Sequence, residues 1–376
     1  MVADETSAHA PDQGEIPSPG PGRSPSPGRS PSPGRSPSPG RSPSPGRSPS
    51  PGRSPSPGHG PGRSPGLTPP PGPLLSAARD LLGVDARPLS GGYSGETFLV
   101  GAPGEEAVLR LYVRNPDRAV VDAALHSLLR DLIPVPRILE MRTQGPAPAF
   151  LLTERLPGER MDLWLAEAPR AKRRAAGESA GRLLARLVGI PFLRSGQFVG
   201  ADLAVQPWPT SGAGLEDWVE AHRGRGAFAQ WSDDDLAGLL EVARYAQDLL
   251  DAAPDRACLA HSDVNPKNLL VDPTSGEITG LVDWEYAHSG SPYTDVGNLL
   301  RFETDEAFCT AVVATFAALA PAVSPQFVEL GRAVDLLALV DLAARDGGTP
   351  VVDQACRLLR EMSRYRNLAA GRPTWR

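Results

Sequence analysis

The chain has 376 residues, 44 acidic against 38 basic side chains and a formal net charge of −6, with 42 Pro and 39 Gly spread very unevenly. Residues 1–73 hold seven Arg against four acids, so the remainder carries a net −9, which speaks against nucleic acid as its main partner. Cys258, Cys309 and Cys356 lack metal-ligand spacing, no basic-then-apolar leader opens the chain and no run of eighteen apolar residues occurs, so the expectation is a cytoplasmic protein without a membrane span.

From Arg23 to Gly58 the hexamer Arg-Ser-Pro-Ser-Pro-Gly repeats six times. Nearly devoid of apolar side chains, residues 1–73 cannot offset the entropy of ordering their backbone, so they read as a disordered, polyproline-II-like tail. Its Ser-Pro and Pro-x-x-Pro-like spacings would suit a docking arm, but a plain spacer is the preferred reading. Folded character begins with helical spacing over Leu74–Leu82, closed by Gly83. Three short strands follow, over Ala86–Leu89, Glu96–Val100 and Ala107–Val113. Asn115-Pro116 then opens a helix over Asp117–Leu132, and Pro134-Val135-Pro136 forces extended chain before two further strands, Arg137–Met141 and Phe150–Arg155. These predict a five-stranded sheet with one inserted helix.

Beyond Pro157-Gly158 the pattern is mainly helical: Pro169–Val188, Leu215–His222, Asp233–Ala252, Asp295–Phe302, Glu306–Leu319, Pro325–Ala344 and Val351–Asn367. Residues 189–214, rich in Gly and Pro, read as a loop. One non-helical island, Leu259–Tyr286, holds the apolar runs Asn268–Val271 and Ile278–Val282 joined by a turn at Asp272–Gly276, a hairpin signal. The expected architecture is α+β and bilobal: a small lobe over 74–156 and a larger helical lobe over 157–376.

The chemistry sits at the open end of that hairpin. Asp263 and Asn268 precede its first strand, and Asp283 follows its second, twenty residues after Asp263. The hairpin sets its two ends side by side, so two carboxylates and an amide oxygen converge. Such hard oxygens suit Mg²⁺ that also keeps phosphate oxygens and water, while a carboxylate off the metal can orient a hydroxyl and accept its proton.

His261-Ser-Asp263-Val, then Asn268, then Asp283-Trp284-Glu285 resembles the motif set of the aminoglycoside phosphotransferase family, which shares the protein-kinase fold; the likeness spans about residues 80–345. The resemblance implies a kinase-like fold and transfer of the γ-phosphate of ATP, or of GTP, to a hydroxyl on a small molecule, with aminoglycosides and other amino-sugars or amino-alcohols as acceptors. It implies Asp263 as catalytic base, Asn268 and Asp283 as Mg²⁺ ligands, and His261 as a structural support of the loop. By the same likeness Asp295 hydrogen-bonds the catalytic-loop backbone; a helix cap is the plainer alternative. Arg110 stands where kinases place a phosphate-binding Lys, and Asp122 where a Glu pairs with that cation. The backbone of Glu154 and Leu156, in the interlobe connector, would meet the adenine edge. Ser90-Gly91-Gly92-Tyr93-Ser94-Gly95, between two strands, offers free N–H groups to the phosphates. Glu285 would face metal-bound water or substrate, or serve as scaffold. Asp233–Asp235 after Ser232 reads as a capped helix start, and Trp208, Trp218 and Trp231 as sugar-pocket walls or packing. The competing functional reading is a nucleotide-binding pseudokinase scaffold with the tail as docking arm, fed by the departures at Arg110, Asp122 and Ser262.

Overall fold

The computed structural model describes residues 72–89, 97–102, 104–143, 145, 148–208 and 214–373. The repeat tail and the turn Ser90–Gly95 lie outside them. Helix α1 (Pro73–Leu82) stops where Gly83 adopts a left-handed conformation (φ 66°) and its N–H bonds the Arg79 carbonyl at 2.8 Å. Strands β1 (Ala86–Pro88), β2 (Thr97–Val100), β3 (Ala107–Tyr112), β4 (Ile138–Arg142) and β5 (Ala149–Glu154) pair antiparallel in the order β1-β2-β3-β5-β4. One face of this sheet, through Phe98, Leu109, Leu111 and Phe150, packs on α1 via Ala78.

Helix α2 (Arg118–Leu129) is inserted between β3 and β4. It ends three residues before the expected Leu132, because Asp131 turns left-handed (φ 67°) ahead of the two prolines. By chain position α2 belongs to the small lobe, yet Val121, Leu125 and Leu129 are buried in the same core as the large-lobe helices.

In the large lobe, β6 (Glu159–Arg160) leads into α3 (Met161–Glu167) and α4 (Arg170–Val188). The stretch expected to be a loop instead holds β7 (Pro191–Phe192), β8 (Gly196–Val199) and β9 (Ala204–Gln206). Helices α5 (Leu215–Ala221) and α6 (Asp233–Asp251) follow, then β10 (Ala257–Ala260), β11 (Leu269–Val271), β12 (Ile278–Leu281) and β13 (His288–Gly290). The loop expectation fails because β7 and β8 pair with β10 and β13, some sixty to ninety residues on, in a sheet ordered β7-β10-β13-β8-β9. Strands of two to four residues carry no period to read; long-range pairing makes them. Helix α3 was likewise unforeseen: seven residues are too few to show a helical repeat, and burial of Met161, Trp164 and Leu165 holds it. The hairpin forms as expected, with β6 as a third strand beside β11.

Helices α7 (Thr294–Leu299), α8 (Glu306–Leu319), α9 (Phe327–Ala343) and α10 (Pro350–Tyr365) complete the lobe. A side chain at Gly297 would collide with the Gly331 carbonyl, so α7 and α9 cross with backbones in contact. Ser232 accepts the Asp235 N–H at 3.1 Å while the Asp235 carboxylate accepts the Ser232 N–H, so Ser232 and Asp235 cap α6, with Asp233 and Asp234 in its first turn. Trp218 and Trp231 pack against the core shared by α5, α6, α9 and α10. Trp208 stays partly exposed, edge-on to His288.

Candidate active site

Strand β10 delivers His261 into the core and the chain then turns sharply at Ser262, held left-handed at φ 68°. That turn stands because the buried α7 carboxylate of Asp295 takes both N–H groups that the turn leaves without a backbone partner: His261 N at 2.9 Å and Ser262 N at 2.7 Å. Asp295 caps no helix. Burial pushes its pKa up to about 6 against the pull of these two donors.

The His261 ring bridges the two ends of the hairpin. Its Nδ1 accepts the Asp263 N–H at 3.2 Å, which places the ring proton on Nε2, 3.1 Å from the Val282 carbonyl it donates to. Burial drives its pKa down to about 4, so the ring is neutral; it stands T-shaped against the Trp284 ring, centroids 4.5 Å apart.

Asp263 is aimed by two amides. Asn265 Nδ2 donates to Oδ1 at 3.0 Å and Asn268 Nδ2 donates to Oδ2 at 2.8 Å. The same Asn268 amide also donates to the Asp263 carbonyl at 2.9 Å. With its nitrogen so committed, the Asn268 amide keeps its oxygen as an acceptor. Burial raises the Asp263 pKa, opposed by the Asn268 bond and by the charge of Arg301, which itself pairs with Asp335 at 2.7 Å. The Asn268 carbonyl accepts the Val282 N–H at 3.0 Å, so Asn268 and Asp283 are brought alongside by the hairpin ladder itself.

Asp283 is left-handed too (φ 67°) and meets the small lobe: Arg110 Nη1 donates to its Oδ1 at 2.6 Å, and Arg110 Nη2 donates to Glu285 Oε2. The planar fork of Arg thus spans two carboxylates. Glu285 has its pKa raised, by burial first and by Asp283 next.

One expectation is corrected here. Asp122 does not pair with Arg110. Its carboxylate accepts from Tyr112 Oη at 2.7 Å and from Arg118 Nε at 2.7 Å, because Tyr112 lies on the same face of β3 and Arg118 one turn earlier on α2. The Glu154 N–H donates to the Arg137 carbonyl at 2.9 Å. Leu156 lies half-buried against Gly280.

Asn265, Arg118 and Arg301 carry weight that sequence reasoning missed. Arg118 donates to the carbonyls of Trp284 and Ala287, tying α2 to the loop that bears Asp283. Its i,i+4 spacing to Asp122 was the available signal, and such a pair is normally an exposed one.

The model of the phosphotransferase enzyme family matches residues 85–326, well over half the chain. The chain belongs to that family. Among curated relatives, the aminoglycoside 3'-phosphotransferase of Streptomyces fradiae is 29% identical over 211 residues, spanning 54% of this chain and 74% of that protein. Among solved structures, an aminoglycoside 2'-phosphotransferase in complex with GDP superposes with a TM-score of 0.57 at 17% identity, over 77% of this chain and 96% of that one. A ternary complex of aminoglycoside phosphotransferase APH(4)-Ia with AMP-PNP and hygromycin B gives 0.54 at 20%, over 81% and 100%. At such identities these likenesses concern the fold, which is kinase-like and bilobal. The protein is a phosphotransferase, a small-molecule kinase by family.

Proposed function

We propose that this phosphotransferase moves the γ-phosphate of ATP to a hydroxyl of an aminoglycoside or a related amino-sugar, with Asp263 as the base. The observation that carries the reading is the placement of the Asp263 carboxylate: two amides fix both of its oxygens, and the second amide belongs to Asn268, paired to the residue before Asp283. A fixed, partly desolvated carboxylate can orient an acceptor hydroxyl and receive its proton as the phosphoryl group departs. Complexes of the fold relatives with AMP-PNP and with GDP support a purine nucleotide as donor, GTP being the alternative to ATP.

The amide oxygen of Asn268 and the carboxylate of Asp283 form a hard-oxygen pair that fits Mg²⁺. Among the described residues no group of three or more His, Cys, Asp or Glu cages an ion alone, and two protein ligands are what a phosphate-borne ion needs. When bound, Mg²⁺ would neutralise charge on the transferring phosphates. On this reading Arg110 must release Asp283 and Glu285 to reach the phosphates, and its fork suits two phosphate oxygens as well as two carboxylates. Asp295 and His261 position the loop rather than touch substrate; Glu154 and Leu156 border the base. The acidic folded part suits a cationic acceptor, and three free cysteines, two of them buried, suit a reducing cytoplasm. No observation favours the scaffold alternative.

A screen of aminoglycosides, amino-sugars and amino-alcohols with ATP and Mg²⁺, read by mass for one added phosphate, tests the proposal. Transfer to an amino-sugar hydroxyl is the expected result. Transfer only to acceptors without a sugar would overturn the acceptor assignment, and no transfer to any would overturn the reaction.

A further inference from the structure

Beside α7 lies a buried cluster of charges that the reaction does not touch. Its centre is the Asp335 carboxylate of α9, whose side chain is wholly enclosed. Oδ1 accepts from Arg301 Nε at 2.8 Å and from Asn298 Nδ2 at 3.3 Å, and Oδ2 accepts from Arg372 Nη2 at 2.9 Å. Asn298 belongs to α7 and Arg301 follows it directly. Arg372 comes from the segment after α10, which buries Leu368 in the core shared by α5, α6, α9 and α10 and turns left-handed at Gly371 (φ 72°). On the far side of Arg372, the Pro373 carbonyl accepts from Arg332 Nη2 of α9 at 2.6 Å. The segment is thus fastened to α9 on both sides of its buried guanidinium.

Such a cluster is a poor source of stability. Two guanidinium groups meet one carboxylate, and the side chains of Arg301 and Arg372 are only 12% and 4% exposed, so a net positive charge stays desolvated. Arg372 Nε and Asn298 Oδ1 are buried as well, without a hydrogen-bond partner among the described residues. A buried ion cluster of this kind commonly stabilises less than apolar packing of equal volume, but it does fix one geometry. What it fixes here is α7. One turn before Asn298 stands Asp295, whose carboxylate holds the N–H groups of His261 and Ser262. Between the two, Gly297 lies with its backbone against Gly331 of α9, so no side chain can absorb a shift of one helix over the other. A line of direct contacts therefore runs from Arg372 through Asp335 to Asn298 and Arg301, and along one turn of α7 to the catalytic loop.

We propose that Asp335 and Arg372 are positioning residues for phosphoryl transfer: they lock α7 against α9, and α7, through Asp295, keeps the left-handed turn at Ser262 that presents Asp263. The segment after α10 is then a brace of the active site, although none of its residues reaches the cleft. The inference rests on the reading of Asp263 as the base. A loose α7 would let the turn at Ser262 relax, and a base displaced by a fraction of an ångström loses rate while the nucleotide, held elsewhere, stays bound.

Hydrogen–deuterium exchange on the full chain reads the turn directly and needs no ligand. In Arg372→Met, which removes the charge and keeps an apolar stem, the His261 and Ser262 amides should exchange faster by about tenfold or more, the scale of one lost charge-assisted bond. Helices α4 and α8, which meet where Gly177 lies against the Phe308 carbonyl, should exchange as in the wild type. Turnover of ATP, with water or an aminoglycoside as acceptor, should fall by about tenfold at a nucleotide KM within about twofold of the wild-type value. Arg372→Lys, which returns the charge without the fork, should recover part of both changes. Should Arg372→Met not fold, Arg372→Gln is read in the same way. Unchanged exchange at His261 and Ser262 overturns the brace. So does faster exchange throughout α4 and α8, which would make Arg372 a general support of the fold. Asp263→Ala should cut turnover while both amides keep their wild-type exchange, so failure of the base and failure of the brace are told apart.

Discussion

The two walls of the catalytic cleft are built in opposite ways. On the large-lobe side, Asp263, Asn265, Asn268, His261 and Val282 hold one another through bonds spanning at most 21 residues of sequence, with Asp295 as the one distant anchor. On the small-lobe side, Arg110 reaches Asp283 across 173 residues and Arg118 reaches Trp284 across 166. One wall is a folded-back piece of chain whose geometry comes with its hairpin. The other exists only when two lobes meet. The local wall is suited to fixing a base; the long-range wall is suited to changing partners when charge arrives between the lobes.

The largest effect should come from the local wall. Asp263→Ala is expected to cut kcat by about 10²- to 10⁴-fold, the usual worth of a general base, while nucleotide affinity stays put. Steady-state kinetics beside a nucleotide titration checks it; near wild-type turnover would sink the role. The long-range wall should fail differently. Arg110→Ala should raise the nucleotide KM by about 10- to 100-fold, the loss of a charge-assisted contact, with a smaller change in kcat. Arg110→Lys should recover part of that loss, since a point charge keeps the attraction without the fork. Equal KM values for all three proteins would mean that Arg110 never leaves the carboxylates.

A smaller, structural effect separates the anchors. Removing Arg118 as Ala leaves the Trp284 carbonyl with the Ala287 N–H alone and the buried Asp122 carboxylate with Tyr112 Oη alone, and should cost about 1–3 kcal/mol in denaturant unfolding, the worth of a charge-assisted bond. A loss near zero would show that α2 is held by its apolar face alone. The smallest effect concerns pH. The folded His261 ring titrates near 4 and an unfolded one near 6.5, so the unfolded chain takes up the proton first as acid is added. Stability from this group is therefore full above about 6.5 and falls as pH drops toward 4. His261→Gln should flatten that slope in melting temperature against pH, and an unchanged slope would assign the loss to carboxylates instead.

What could be read from sequence follows the same division. The hairpin was legible because apolar runs, a Gly-closed turn and flanking acids all lie within thirty residues. The small-lobe sheet and the long helices were legible from their periods. Strands β7 to β9 were not, since Gly196 and Pro191 carry turn signals and their partners lie far along the chain. Asp122 was misassigned for a related reason. Position on a helix said that it could face β3, but which group on β3 or α2 would capture it, Tyr112 and Arg118 rather than Arg110, depended on how the sheet and helix pack.

The residue types by themselves determined that hard oxygens would gather at one end of a short hairpin, because strand pairing sets chain ends side by side whatever surrounds them. Only the tertiary structure decided which charges answer one another. Arg110 rests on Asp283 and Glu285, and Asp295 takes the N–H groups of His261 and Ser262, because burial forces each polar group to find a partner among whatever the packing brings near.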